Sequence, residues 1–352
     1  MKRILLTGML LCISLFSFAQ LLTERLSTAT DTARGIVYLL PKINIQIEVD
    51  TKCIQETPGM YFQYADRFLG MKEVIQNESI RYEITGFRLT TKTIPDISQA
   101  YLISTGKKGK NIVIALTPEG YLKSINGSKE NEMPPVKVST KTKTMTKNIP
   151  KSWETPGSSI FTKEMQQANS TAKMAELAAN QLFTIRDTRF NMLTQDADKT
   201  PSDGRSYEIV LSELNRMESA YLELFKGKVT ESNQTFTYTM NPQKDSTDVL
   251  LRFSLFKGVL DKNNLGGNPI FIEVKPLPVA AEKLRVDKAA TPRGLYYRVP
   301  GQAVINITDG KDVLFTKEVT VPQFGRVLSL PATQITAAKL CPKTGALLEL
   351  KK

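Results

Sequence analysis

Asp196, Asp198 and Thr200 stand at the first, third and fifth places of a helix-loop-helix calcium loop, where a hard cation wants oxygen ligands. The match stops there. Pro201 takes the place where such a loop needs glycine for its sharp turn, and Tyr207 the place where a bidentate glutamate closes the site. The segment therefore reads as an acidic turn that caps the next helix through Ser202 or Asp203. Asp261 and Asn263 begin a similar series, which Leu265 breaks. No residue is assigned to a metal or cofactor site.

The chain contains no histidine. That removes the Ser-His-Asp and Cys-His nucleophiles, zinc hydrolases with imidazole ligands, and any histidine general base. Carboxylate-pair glycosidases, Ser-Lys nucleophiles and all-oxygen metal sites need no imidazole and survive. None shows a recognisable catalytic motif, so no catalytic residue is assigned. Cys53 and Cys341 lie near opposite ends of the chain, where a disulfide is permitted outside the cytoplasm and not required. Unpaired, each serves as a small apolar side chain. Tyr61, Tyr64 and Phe68 could stack on a sugar, but aromatics at helical spacing are more simply core.

Lys2 and Arg3, the apolar run Ile4 to Phe18, and the small residues Ser17 and Ala19 form the three parts of a signal peptide. Ile4 to Ala19 is 16 residues, short of the roughly 20 needed to span a bilayer. Cleavage after Ala19 is expected, giving an exported chain that begins at Gln20 and resides in the periplasm or at the outer membrane. Leu11 before Cys12, with the apolar run continuing past it, argues against lipidation at that cysteine. Removing Lys2 and Arg3 takes the net charge from +12 to +10. Either that charge serves only solubility, or a basic exported chain meets anionic glycans or lipid headgroups rather than nucleic acid, which leaves peripheral membrane contact open. Envelope proteins are the other expected partners.

The elements that must position these residues fall into an α+β pattern: two antiparallel β-rich regions, sandwich-like, flanking a long antiparallel helical hairpin. Residues 20–133 form the first β-rich region with one short helix. Ile36 to Leu40 reads as a strand that stops at Pro41, Ile43, Ile45, Ile47 and Val49 then alternate with polar residues, and further strands are expected at Arg81 to Thr91, Ala100 to Ser104 and Asn111 to Leu116. Thr57 and Pro58 suggest the cap and first position of a helix over Met60 to Leu69 that stops at Gly70. Residues 134–161 read as a basic linker or edge strand, in which Lys137, Lys141, Lys143, Lys147 and Lys151 either block strand pairing or attract a polyanion. The hairpin occupies 162–228, with helices from about Thr162 to Gln195 and from Arg205 to Lys226, the second stopped by Gly227. Residues 229–352 return to β, with expected strands at Thr235 to Met240, Val249 to Phe256, Ile270 to Val274, Leu295 to Val299, Ala303 to Thr308, Val313 to Val319 and Arg326 to Leu330.

A phrase recurs: Arg34-Gly35, Tyr38 and Pro41 match Arg293-Gly294, Tyr297 and Pro300 at the same spacing. Either the two β regions are duplicates, or both places need a glycine turn, a strand and a proline. The differing order of the other elements favours the second reading.

Gly35 to Pro41, Pro58-Gly59, Tyr64 to Gly70, Leu222 to Gly227, Gly294 to Pro300 and Pro322 to Gly325 together resemble an exported family of Bacteroidota, the domain of unknown function 4831. The likeness covers nearly the whole exported chain and implies a Gram-negative envelope; it lends no catalytic residue. Asp31-Thr32-Ala33 also resembles the short O-glycosylation acceptor of exported proteins in that phylum. The expectation is a non-catalytic binding or assembly module. The alternative is an envelope glycan hydrolase, which needs two carboxylates about 5 to 10 Å apart in one cleft.

Overall fold

Pro41, Pro95, Pro300 and Pro322 do not end their strands; they lie where the ladders skip register. The computed structural model describes residues 21–26, 35–105, 112–127, 161–194, 203–278, 294–331 and 335–351. The leader, Asp31 to Ala33, the lysine-rich stretch and the Asp196 to Thr200 loop lie outside them. Strand β1 (Leu21–Arg25) is followed by β2 (Ile36–Thr57) and β3 (Ser79–Thr105). The breaks expected at Pro41 and between Thr91 and Ala100 do not occur: both strands run on, and Pro41 pairs with Pro95. Next to that pair the register shifts, Leu39 facing Ala100 while Leu40 faces Asp96. A missing N–H costs little where a ladder is already interrupted.

The same device recurs in β10 (Gly294–Thr308) and β11 (Val313–Pro331). Pro300 and Pro322 fall inside a shift that takes Val299 opposite Arg326 and Gly301 opposite Val321, so two pairs of expected strands are two long ones. Gly35 and Gly294 open their strands pressed on a neighbouring backbone. A Cβ would lie 2.2 Å from the Ile103 carbonyl oxygen at the first and 2.0 Å from that of Leu330 at the second. The repeated phrase thus meets the same local need twice, while β2 takes a later strand as its second neighbour and β10 an earlier one.

Three antiparallel sheets result. The long sheet has the order β1-β3-β2-β6, where β6 is Lys228–Met240. The facing sheet is β11-β10-β9-β7-β8, with β7 Ser246–Ser254, β8 Gly258–Leu260 and β9 Asn268–Leu277. A small sheet, β13-β12-β5-β4, joins β4 (Ile114–Leu116) and β5 (Leu122–Ile125) to β12 (Ala337–Leu340) and β13 (Leu347–Lys351). The two β-rich stretches of sequence therefore share sheets.

The alternation legible in β2 has its expected consequence. Ile43, Ile45, Ile47 and Val49 are buried against Leu251, Ile272, Val274, Ile305 and Val321 of the facing sheet. Each such side chain contributes roughly 1.5–3 kcal/mol on burial. Further along the same strands, Tyr38, Leu40, Tyr101, Ile103 and Leu295 meet Leu122, Ile125 and Leu340 in a second core.

The helices form a third core. The expected first helix is two, α2 (Lys163–Gln167), capped by the Thr162 hydroxyl, and α3 (Thr171–Thr194), whose Lys173 N–H is taken by the Ser170 hydroxyl. α4 (Gly204–Lys226) begins at Asp203, whose carboxylate accepts from the Ser206 N–H at 2.8 Å, and ends at Gly227. The cap suspected from sequence is thus Asp203. Arg186 and Arg189 of α3 both reach Glu218 of α4, Arg189 also reaches Asn215, and the Tyr207 hydroxyl reaches the Met192 carbonyl, so the two helices run antiparallel. Burial opposes the charge on Glu218, yet its two arginines outweigh that and hold its carboxyl below the usual range. Thr57 is the last residue of β2 and caps nothing; the expected helix is a 3₁₀ turn, Phe62–Tyr64, followed by α1 (Ala65–Leu69), which Gly70 ends at φ 69°. Tyr61, fully buried against Phe225, belongs to this core, with Tyr64 and Phe68 packed around it. Tyr61 is core, and Tyr64 and Phe68 are partly buried around it.

Candidate functional site

Where both long strand pairs skip register, the long and facing sheets are tied together by polar groups. Asp96, at the shift in β3, meets Arg298 of β10, with Oδ2 and Nη2 2.9 Å apart and both residues buried. The Ser98 hydroxyl donates to the other carboxylate oxygen at 2.7 Å. Burial would raise the Asp96 pKa, but Ser98 and Arg298 together hold it below the ordinary carboxylate range. Arg298 is fixed in turn through its backbone N–H, which donates to the Gly345 carbonyl at 2.8 Å. Gln323, inside the shift in β11, uses its side-chain amide as a substitute strand: the Ile43 N–H donates to its Oε1 at 3.1 Å and its Nε2 donates to the Ile43 carbonyl at 2.8 Å. Tyr38 spans the sheets likewise, donating to the Tyr296 carbonyl and accepting from the Tyr296 N–H, while Tyr101 stacks on Tyr296 with centroids 4.3 Å apart.

Beside this crease lies an open cleft of about 460 Å³ lined by Leu26, Val37, Leu39, Ile97, Ser98 and Ala100. Its lining is apolar apart from the Ser98 hydroxyl. Asp96, next to Ile97 of that lining, has its carboxyl held below the ordinary range by Ser98 and Arg298. Among the described residues no three acids or cysteines come together as a metal site.

Cys53 and Cys341 are free. Cys53 faces Tyr82 and Ser232 across the ladders of β2, and Cys341 sits in the turn between β12 and β13. That turn packs Gly345 against Pro41 and Arg298. From Pro41 to Cys53 the strand covers roughly 40 Å, so the two thiols are far apart. Burial alone would raise the Cys341 pKa; the Thr344 hydroxyl, the Lys343 and Thr344 amides and the Lys343 charge more than reverse this.

The motifs that carry the family resemblance gather at two places. Gly35 to Pro41, Gly294 to Pro300 and Pro322 to Gly325 build the crease. Pro58-Gly59, the Tyr64 to Gly70 turn and Leu222 to Gly227 build the joint between helices and sheet: the Tyr61 N–H donates to the Leu224 carbonyl, and a Cβ on Gly59 would lie 2.4 Å from that same oxygen. Asp96, Ser98 and Gln323 escaped sequence reading, because nothing local says that they meet Arg298 and Ile43.

Whereas the crease residues are engaged with one another, β6 is not. Gly227, at φ 88°, ends α4 and delivers the chain straight into a strand rich in threonine and aromatic residues. Tyr238 and Met240 pack on the main core and Phe236 is half-buried, but every residue from Lys228 to Thr235 is exposed. One edge of β6 pairs with β2 over all thirteen residues with no register shift. Nothing described pairs with the other. Lys52 to Glu231 at 2.7 Å and the Thr235 hydroxyl to Asp50 at 2.6 Å are exposed contacts toward β2, worth at most about 1 kcal/mol each.

The family profile described as Domain of unknown function (DUF4831) matches residues 34–347. No curated protein and no solved structure matches the chain. The profile spans both the crease and the helical joint, and the chain belongs to the DUF4831 family.

Proposed function

We propose that this chain is a non-catalytic binding or assembly module of a bacterial cell envelope, meeting a protein partner along the open edge of β6. The observation that carries the reading is a thirteen-residue strand with one edge unpaired among the described residues and eight successive residues exposed. Unpaired N–H and C=O groups in a row form a template for another strand. Export rests on the leader sequence, with its basic start, apolar run and small residues before Gln20.

Placing a photo-reactive residue at the exposed Asn233 position, in cells that express the chain natively, tests both parts. The expected result is a protein adduct in the envelope fraction, on a chain whose first residue is Gln20. Recovery of the uncrosslinked chain alone would remove the binding role. Recovery in the cytoplasm with the leader intact would remove the envelope.

A further inference from the structure

We infer that the partner of β6 is a second copy of this chain, joined antiparallel across a two-fold axis so that two long sheets become one. The inference rests on the binding role proposed above and names its occupant.

The other long edges of the described sheets carry devices that refuse a neighbour. β11 holds Pro322, Pro331, Lys317, Glu318 and a register shift. The β2 edge beyond β6 is closed by the Gln323 amide at Ile43, by the Gly120 carbonyl on the Leu39 N–H, and by Pro41. The outer edge of β3 gives its Tyr82 N–H to the Leu255 carbonyl and its Leu89 carbonyl to Lys317, and carries Pro95. The remaining edges, β1, β4, β8 and β13, are three to five residues long. β6 combines length with no proline, no bulge and no charge between Thr235 and Met240. At about 3.4 Å per residue it offers an edge of roughly 44 Å, and natural proteins seldom leave such an edge unguarded.

Charge favours a copy of the same strand. The only charges in β6 are Lys228 and Glu231, of opposite sign. An antiparallel pair that uses all thirteen residues puts its axis at Gln234. Lys228 then faces Met240, Glu231 faces Thr237, Ser232 faces Phe236 and Thr230 faces Tyr238. No like charges meet, and polar β-formers oppose aromatic ones, a favourable cross-strand pairing. Opposed residues also share a face, so the apolar row Phe236, Tyr238, Met240 of one copy continues onto Ser232, Thr230 and Lys228 of the other. Contact through one surface on both subunits closes the assembly at two.

The remainder of the molecule sets the sign of the salt response. Two exported copies, each with net charge +10 (the +12 of the chain less Lys2 and Arg3), repel at long range, and salt screens that repulsion. Self-pairing must therefore tighten as salt rises, whereas attachment to an anionic partner must loosen.

Sedimentation equilibrium of the chain purified from cells that express it reads this directly. A monomer–dimer equilibrium that shifts toward dimer with added salt is expected. Asn233→Lys with Gln234→Lys places four added positive charges beside the axis, on side chains exposed in the monomer. It should weaken dimerisation by about tenfold or more, with the thermal midpoint of the monomer unchanged. Gln234→Cys should give a disulfide-linked dimer under mild oxidation. A chain that stays monomeric at every salt concentration, or a dimer indifferent to the double lysine variant, would overturn the inference. The mass of the Asn233 adduct separates the two proposals: twice the chain supports self-pairing, a different protein removes it and leaves the binding role, and no adduct removes both.

Discussion

Arg298→Met is expected to destabilise the chain by about 3–5 kcal/mol, the usual cost of stripping one partner from a buried ion pair. Asp96 is 7% exposed and Arg298 3%, so water cannot replace the lost guanidinium. Ser98 remains, but one neutral hydroxyl does not match a charge. The cost should depend on pH. Because the folded Asp96 carboxyl is held below its unfolded value, its contribution is present above the unfolded pKa of about 3.9 and is lost as pH falls through the folded one. The difference between wild type and Arg298→Met should therefore shrink as the medium is acidified below about pH 4. Asp96→Leu combined with Arg298→Met should recover much of the loss, since an apolar pair of similar volume often replaces a buried ion pair without penalty. Urea unfolding of the two single variants and the double variant at neutral and acid pH gives the full cycle. A single-variant cost below about 1 kcal/mol would place the pair in the class of surface bridges.

Gly325→Ala is expected to cost about 3 kcal/mol or more and to loosen the joint between the two large sheets. An added Cβ would lie 1.7 Å from the Val299 carbonyl oxygen and 2.7 Å from the Gly301 nitrogen, both backbone atoms in the register shift of β10 and β11. No side chain can swing away to make room. The strand must move, and Gln323, two residues earlier, must move with it. The Ile43 amide, which depends on the Gln323 oxygen, should then exchange faster with solvent, a local readout beyond loss of stability. Gly86→Ala is the matched control: it also lies in a long strand, but nothing stands within 4 Å of its added Cβ. It should change stability by no more than about 0.5 kcal/mol. Equal effects at the two glycines would show that close approach of the backbones at the crease contributes nothing.

The contrast between helix α4 and the crease shows what sequence could reveal. Val210, Leu214, Met217, Tyr221 and Leu224 repeat at helical spacing and Gly227 stops them, so the element is specified by contacts within a few turns. The β2 alternation from Ile43 to Val49 is equally local and equally legible. Continuity through Pro41, Pro300 and Pro322 was not, because a proline ends a strand only if its N–H was wanted, and that depends on a neighbour far away in sequence. β6 shows the same limit from the other side. The expected strand began at Thr235, yet Thr57 to Thr51 of β2 supply a ladder to Lys228 through Gln234 from more than a hundred residues upstream. Mixing of early and late strands in one sheet is likewise a long-range fact. Asp96 with Arg298, and Gln323 with Ile43, stand 202 and 280 residues apart, so no window along the chain contains either pair.

Whether the edge of β6 that is unpaired among the described residues is a contact surface is tested most directly by residue-resolved amide exchange over Lys228–Met240, comparing the isolated chain with the chain in its native assembly. In an antiparallel ladder successive N–H groups point to opposite sides, so β2 protects only alternate amides. Assembly through the edge should slow the other set, those facing away from β2, and leave the β2-bonded set nearly unchanged. Exchange along β6 identical in the two states, with protection gained elsewhere on the molecule, would contradict the proposed role of this strand.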